Sequence, residues 1–420
     1  MQQISLAYGR NSVKLDFDGS RFEVPTAADS NRSPLSDAEI GAAFDSPIES
    51  PSLEEILNPG ESVLIVVSDA TRATASAQVV NLLVRRVIQN GISPADIAII
   101  FATGIHRQVA SGEKQHLLTP FIIQRIRVLD HDANDAKALL TLTTSSTGPI
   151  EVNRALKDFS HVILTGGISF HYFAGFTGGR KSICPGLASA QTVRATHMLA
   201  LDFENGGRRA GVGTGLLEGN AVHEACDGVA ALVKPCFSVN TVVDDRGRPT
   251  DIYAGHWRAA HLTGCVHYKA NHSFRIGSKR KLVIASCGGW PYDINLIQAH
   301  KALDMAANAC ADGGTIVLLA ECSDGIGRAD FLRWFEETSS ERLAARLREA
   351  YEVNGQTAWA LLMKSERYRI ILISDLPDAE VTRMGMTPVG SIDDALAQLD
   401  ANIEGYILPR GAALLPIVTG

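Results

Sequence analysis

The stretch ESVLIVVSDATRATASAQVVNLLVRRVIQNGISPADIAIIFATGIH, residues 61–106, decides the fold. SVLIVVS and DIAIIFATG are short, apolar and rich in β-branched residues, and the segment around Gln78 to Gln89 between them has helical spacing. Strand, helix, strand in that order predicts a parallel pair with a crossover. Working outward, RIRVLDHD (125–132) and HVILTGG (161–167) add further strands. A second set begins near Lys281: KLVIASCGG, a helix through about Ala309, TIVLLA, a helical region to Tyr351, YRIILIS, a short helix at Ile392 to Leu399, and ALLPIVTG. The expected architecture is α/β: two doubly wound, Rossmann-like domains with the active site in the interdomain cleft. Residues 1–275 form the expected N-terminal domain and 276–420 the C-terminal one, with the last strand a candidate to return to the first. Residues 1–60 hold a short alternating start and then a Pro/Ser/Asp/Glu-rich stretch through NRSPLSDAEIGAAFDSPIESPSLEEIL, which reads as irregular surface structure with one short helix.

The 420 residues carry a net charge of -7, 45% hydrophobic and 20% charged residues, the profile of a globular enzyme. An acidic balance offers no global attraction to nucleic acid or to an anionic membrane surface, so an anionic ligand needs locally placed cations. MQQISLAYGRNSVKLDF lacks the basic and then apolar pattern of a signal peptide, and no run approaches the roughly 18 apolar residues of a membrane span. Seven cysteines without a C-x-x-C pair argue against a disulfide framework and a thiolate zinc site. A cytoplasmic location is expected.

Polar residues cluster where the strands end. Asp69, Thr71 and Arg72 follow one apolar run, Thr103 and His106 another, and Gly166 to His171 a third. Ligands of open α/β sheets bind outside the carboxyl ends of strands, so these loops are expected to converge. Asp69-x-x-Arg72 has two readings, a helix N-cap with a solvated arginine or an arginine clamp for carboxylate or phosphate. Gln298 and Lys301 share one face of a predicted helix, either as an exposed polar face or as carboxylate partners.

The densest segment is GGISFHYFAGFTGGRKSICPGLASAQTVRATHML, residues 166–199. Its glycines precede a predicted helix and suit a phosphate, with Arg180 or Lys181 adding charge, or simply form a turn-rich connection. It is not a P-loop, because Gly175 is followed by Gly178, Gly179 and Arg180. His171 and His197 are too far apart for an i, i+4 metal pair, and no H-E-x-x-H motif accompanies them.

VVSDATRATAS, GIHRQ, HYFAGFTGGRKSICPGLAS and GGWPYDINLIQAHKALD, in that order along almost the whole chain, resemble the nickel-dependent lactate racemase family. The resemblance implies an isomerase that inverts a 2-hydroxy acid with a nickel pincer nucleotide, a pyridinium mononucleotide that grips nickel through carbon and sulfur. Lys181 matches the lysine that forms a thioamide with this cofactor, and His197 the histidine that completes nickel coordination. His106 and His171 match the acid/base pair. Asp69 and Arg72 match the active-site Asp-x-x-Arg, with Thr71, Gly178 and Gly179 expected beside the cofactor. Gln298 and Lys301, with Arg72, match the residues that hold the substrate carboxylate. Ile297 stands where lactate racemases carry a tyrosine near the substrate, which makes malate, an aryl lactate or a sugar acid a candidate beside lactate, and Trp290 is a candidate pocket wall.

The implied chemistry suits these residue types. Deprotonating the α-carbon of a hydroxy carboxylate would set a carbanion beside a negative charge, whereas hydride removal leaves a neutral 2-keto group that can turn and be reduced on its other face. Two histidines exchanging base and acid roles would serve the two enantiomers. The cofactor is made by other proteins, so those biosynthetic proteins are expected partners and the cofactor is absent where they are not co-expressed. The alternatives are a sugar-acid dehydrogenase or dehydratase using the same cofactor, and a non-catalytic nucleotide- or phosphate-binding protein.

Overall fold

The structure, a computed structural model, describes residues 1–25, 32–145, 148–205 and 207–419. The chain divides into two compact units, one of Met1–Ser30, Leu201–Arg208 and Lys269–Gly420, the other of Asn31–Ala200 and Arg209–Tyr268. The single cut expected at residue 275 therefore gives way to an interleaved division. Its first cause is the N-terminus: the Gln2–Tyr8 and Asn11–Phe17 hairpin packs Leu6, Leu15 and Phe17 into a core with Leu282, Val317 and Ile371. The last strand, Leu415–Val418, pairs with Ser273–Ile276 of its own unit and does not leave it.

In the unit that begins at residue 31, a six-stranded sheet runs Pro249–Gly255, Phe237–Val243, His161–Gly167, Val63–Ser68, Ile97–Ala102, Arg127–Leu129. Every neighbouring pair is parallel except the first, which is antiparallel. Val63 to Val67 are wholly buried, which explains the unbroken apolar run: a central parallel strand is covered on both faces. The Ser76–Gln89 helix makes the crossover and buries Val79, Val80, Leu83, Val84 and Val87, a helical stripe directed at the sheet. From the Val63–Ser68 strand the chain first moves one way, then returns to place His161–Gly167 on the other side. The carboxyl ends of these two strands thus flank a topological switch point.

The other unit has its own six-stranded sheet, Thr387–Val389, Arg369–Ile373, Cys310–Leu319, Arg280–Ser286, Gly405–Leu408, Phe22–Glu23, all parallel. Its switch point lies beside the end of Arg280–Ser286, where GGWP follows. The Leu296–Ala309 helix is tied to Val353–Arg367 by a buried pair, Lys364 Nζ to Asp304 Oδ1 at 2.9 Å, and Asp304 also takes Arg208 at 3.0 Å.

Residues 1–60 are more regular than expected. Besides the hairpin they hold the Asp37–Asp45 and Leu53–Ile56 helices, each opened by a capping box, Ser36 with Glu39 and Ser52 with Glu55. Asn31, at the start of the stretch read as irregular, lies outside the described residues. The Phe237–Val243, Pro249–Gly255 and Gly405–Leu408 strands and the Ala221–Val233 and Val353–Arg367 helices were also beyond the reading of the sequence. All seven cysteines are free thiols. Among the described residues no helix is long and apolar enough to cross a membrane.

Candidate functional site

Three adjacent parallel strands, His161–Gly167, Val63–Ser68 and Ile97–Ala102, deliver their following loops to one edge of the sheet. Asp69 begins the first turn after Val63–Ser68. Its Oδ1 accepts from the Thr71 amide at 2.9 Å and the Thr71 hydroxyl at 2.5 Å, closing an Asx turn. Its Oδ2 accepts from His106 Nδ1 at 2.8 Å. Asp69 is thus neither an N-cap nor a side-chain partner of Arg72, whose exposed guanidinium forms no hydrogen bond or ion pair among the described residues. Burial alone would raise the Asp69 carboxyl, but the bonds from His106 and Thr71, with the nearby Arg72 charge, hold it below the usual carboxylate range. A carboxylate only accepts, so His106 Nδ1 carries the proton and Nε2 the lone pair.

The His106 turn is held to the Lys181 segment. Gly104, at φ +56, donates to Gly186 at 2.8 Å, and a Cβ there would stand 3.1 Å from the Pro185 carbonyl, which explains the glycine. Beyond His161–Gly167 a small hairpin pairs Phe170 with Phe176 and His171 with Gly175. His171 Nδ1 accepts from the Ala174 amide at 3.2 Å. Burial and the charges of Lys181 and Arg72 hold His171 well below the usual histidine range, so its ring is neutral.

Phe173, buried, gathers the remaining groups. Its ring centroid lies 4.5 Å from that of His171, 5.0 Å from that of His197 and 5.4 Å from Lys181 Nζ. Burial pushes the Lys181 amine down to about 7, with Arg72 and Arg180 adding to the shift. His197 lies in the Ala190–Met198 helix, capped by Ser189, and its Nδ1 donates to the Val193 carbonyl at 2.9 Å. That bond puts the lone pair on Nε2, the arrangement seen in metal-binding histidines. Burial and Lys181 push His197 down to about 3, so it stays unprotonated at neutral pH.

Two family models match this sequence, the lactate racemase N-terminal domain over residues 8–207 and the lactate racemase C-terminal domain over residues 277–407. The chain belongs to the lactate racemase family. A lactate racemase from Thermoanaerobacterium thermosaccharolyticum is 28% identical over 429 residues, covering 99% of both chains. One from Lactiplantibacillus plantarum is 28% identical over 431 residues, covering 99% of this chain and 100% of that protein. The structure of the lactate racemase apoprotein from T. thermosaccharolyticum matches with a TM-score of 0.89 and 27% identity, over 99% of this chain and 100% of that one. A Thermotoga maritima protein, 18% identical over 94% of this chain and 100% of its own, shares the fold with a TM-score of 0.66. This member of the lactate racemase family is an isomerase of the racemase kind.

In this racemase His106, His171, Lys181 and His197 thus occupy one neighbourhood, with Asp69, Thr71 and Arg72 on the adjoining turn. Gly178 and Gly179, expected at the cofactor, are buried and have a packing reason of their own. A Cβ on Gly178 would stand 2.9 Å from Asn240 Oδ1, one on Gly179 would enter the His261 ring, and the Gly179 amide already donates to Asn240. Arg180 is also no phosphate hook: it is 1% exposed and donates to the Ala174 carbonyl at 2.7 Å.

In the other unit, Lys301 donates to Gln298 at 2.7 Å on the exposed side of the Leu296–Ala309 helix, which Asn295 caps. Ile297 is half-buried. Trp290 is 47% exposed and carries the Arg10 guanidinium 4.4 Å above its ring. Among the described residues no group of three His, Cys, Asp or Glu could hold a metal by itself. An ion at His197 therefore has to bring most of its donors with it, and the buried amine of Lys181 is a nucleophile at neutral pH suited to acylation by such a carrier. The residues fit a tethered, metal-carrying group.

Sequence reasoning missed Phe173, Asn240 and the pairing of Asp69 with His106. An asparagine inside the apolar strand FSVNTVV and an aromatic in H-Y-F were the available signals. The pairing had none, because Asp69 and His106 lie on different strands.

Proposed function

We propose that this protein racemises, or epimerises at C2, a 2-hydroxy acid, lactate as in its named relatives or a larger acid. It does so with a nickel pincer nucleotide tethered to Lys181 and coordinated by His197. The observation that carries the reading is the gathering of Lys181, His197 and His171 around Phe173, with the carboxylate-backed His106 on the neighbouring turn. When bound, the cofactor supplies a hydride acceptor at C2. The chain's own part is to take the hydroxyl proton at a histidine, hold the substrate carboxylate through Arg72, Gln298 and Lys301, and keep the keto acid from leaving. Replacement of a ring by Ile297 enlarges the space allotted to the second substituent, and Trp290 is the proposed wall. A cytoplasmic location and dependence on cofactor-making proteins belong to the same proposal.

The test is co-expression with the cofactor's biosynthetic proteins, followed by intact-protein mass spectrometry and elemental analysis. A mass increment lost in Lys181→Ala, with roughly stoichiometric nickel, is expected, as is interconversion of enantiomers on a 2-hydroxy acid panel. A deuterium at C2 should be retained, since a hydride does not exchange with water. Full nickel loading without turnover of any acid would refute the activity, and no adduct would refute the tether.

A further inference from the structure

His171 rides on a hairpin too short to hold itself. Its strands contribute two residues each, Phe170 and His171 against Phe176 and Gly175, and an isolated two-stranded hairpin is marginal in water. Packing fixes the base: the Phe170 ring centroid lies 5.4 Å from that of Phe176 and 5.0 Å from that of Tyr268. Polar groups fix the tip. Three consecutive carbonyls each accept from a different part of the chain, Phe173 from Asn220 Nδ2 at 2.9 Å, Ala174 from Arg180 at 2.7 Å and Gly175 from the Gly215 amide at 3.0 Å. The fit is close, since a Cβ on Gly175 would stand 2.0 Å from the Leu216 carbonyl oxygen. The peptide held by Asn220 is also the one whose N–H, on Ala174, meets His171 Nδ1 at 3.2 Å.

Asn220 is wholly buried and uses its entire side-chain amide. Its Oδ1 accepts from the Val222 and His223 amides at 3.1 and 3.2 Å, capping the Ala221–Val233 helix. Its Nδ2 donates to the Phe173 and Leu216 carbonyls at 2.9 and 3.0 Å. The cap alone needs only an oxygen, for which serine or aspartate serves as well. Among the favoured caps only asparagine brings two N–H donors besides, and here both are spent on the hairpin and the loop it rests on.

We propose that Asn220 is a positioning residue for the reaction, holding the Tyr172–Ala174 tip so that His171 and Phe173 stay in register with His197 and Lys181. This deepens the racemase reading and rests on it, and it leaves His106 and His171 their acid and base roles. Asn220 acts only through the tip. It fixes the Phe173–Ala174 peptide, whose N–H orients the His171 ring, and it fixes the Phe173 ring, which spaces His171 from His197 at centroid distances of 4.5 and 5.0 Å. A base must lie within hydrogen-bond reach of the proton it takes, and a misplacement of about 1 Å can cost about 10²-fold in rate. The GVGTG turn at 211–215 belongs to the same seat through Gly215.

The test compares nickel-loaded Asn220→Ser and Asn220→Gly, which keep a serviceable cap and lose the donors, with Val229→Ala, which thins the buried side of the same helix. Nickel and adduct content, kcat, KM and backbone hydrogen exchange of the full chain are measured for each. Both Asn220 variants should load nickel as the parent does, exchange faster over 170–176 but not over 221–233, and lose about 10–10²-fold in kcat. Their KM should move less than about threefold, because the carboxylate is held by other residues in the racemase reading. Val229→Ala should show the reverse, faster exchange over 221–233 with kcat within about threefold of the parent. An Asn220 variant with parental kcat would overturn the proposal, as would a loss that Val229→Ala matches or that merely follows lost nickel. A parent that loads nickel and turns over no acid would refute the racemase reading, while faster exchange over 170–176 in the Asn220 variants would still establish what holds the hairpin.

Discussion

Replacing Asp69 by Asn exchanges one oxygen of a carboxylate that is 6% exposed for an amide nitrogen. The retained oxygen can keep both bonds from Thr71, at 2.9 and 2.5 Å. The new NH₂ group then faces His106 Nδ1 at the former 2.8 Å separation. It can only donate, so Nδ1 must accept and the ring proton moves to Nε2, where the lone pair is needed. An aspartate-to-asparagine change behind a catalytic histidine costs about 10⁴ in kcat when it inverts the tautomer, equivalent to about 5 kcal/mol of barrier. Stability should move far less: a charge-assisted hydrogen bond worth about 1.5–3 kcal/mol is lost, but the desolvation cost of a buried carboxylate goes with it. The assay is enantiomer interconversion by the nickel-loaded variant, beside a urea unfolding midpoint. A variant within tenfold of the parent would refute the assignment of Asp69 as the residue that orients His106.

Asp304→Ala should destabilise the chain by about 3–5 kcal/mol, because it strips the carboxylate from the buried Lys364 ammonium. Adding Lys364→Met should recover much of that loss in chemical denaturation, and an additive double variant would sink the reasoning. Gly178→Ala, at φ +78 with Asn240 Oδ1 2.9 Å from the new Cβ, should cost the cofactor-free chain more than about 1 kcal/mol; an unchanged melting temperature would return this glycine to a cofactor role. The buried neutral rings of His197 and His171 give a pH dependence. Their folded pKa values lie below that of an unfolded histidine, about 6.5, so the unfolded chain binds more protons as pH falls. Stability should be flat above that value and decline below it, towards about 3 for His197. At pH 5 the penalty for the His197 ring is about 2 kcal/mol, and the His171 ring adds to it in the same direction. Unfolding midpoints at pH 7.5 and 5 check this, and a His197→Gln variant should show a shallower decline.

The sequence by itself determined the parallel sheets, because strands covered on both faces must be apolar throughout, and Val63–Val67, Ile97–Phe101 and Leu282–Ala285 advertise that burial. It also marked Asp69, His106 and His171 as polar residues just beyond strand ends, where an open sheet exposes its loops, and Lys181 as a cation of the glycine-rich segment. The four motifs in order were enough to name the family. It could not tell that the first 30 residues belong with the C-terminal sheet, since a two-residue edge strand, Phe22–Glu23, and a hairpin carry no mark of their distant partners. It could not tell why Gly178 and Gly179 are glycine, because the atoms they would strike come from Asn240 and His261, about sixty and eighty residues away. The protonation pattern of the histidines was equally illegible. Which ring nitrogen holds a proton depends on the group facing it: for His171 the Ala174 amide of its own hairpin, and for His106 a carboxylate that only the tertiary structure brings over from another strand's loop.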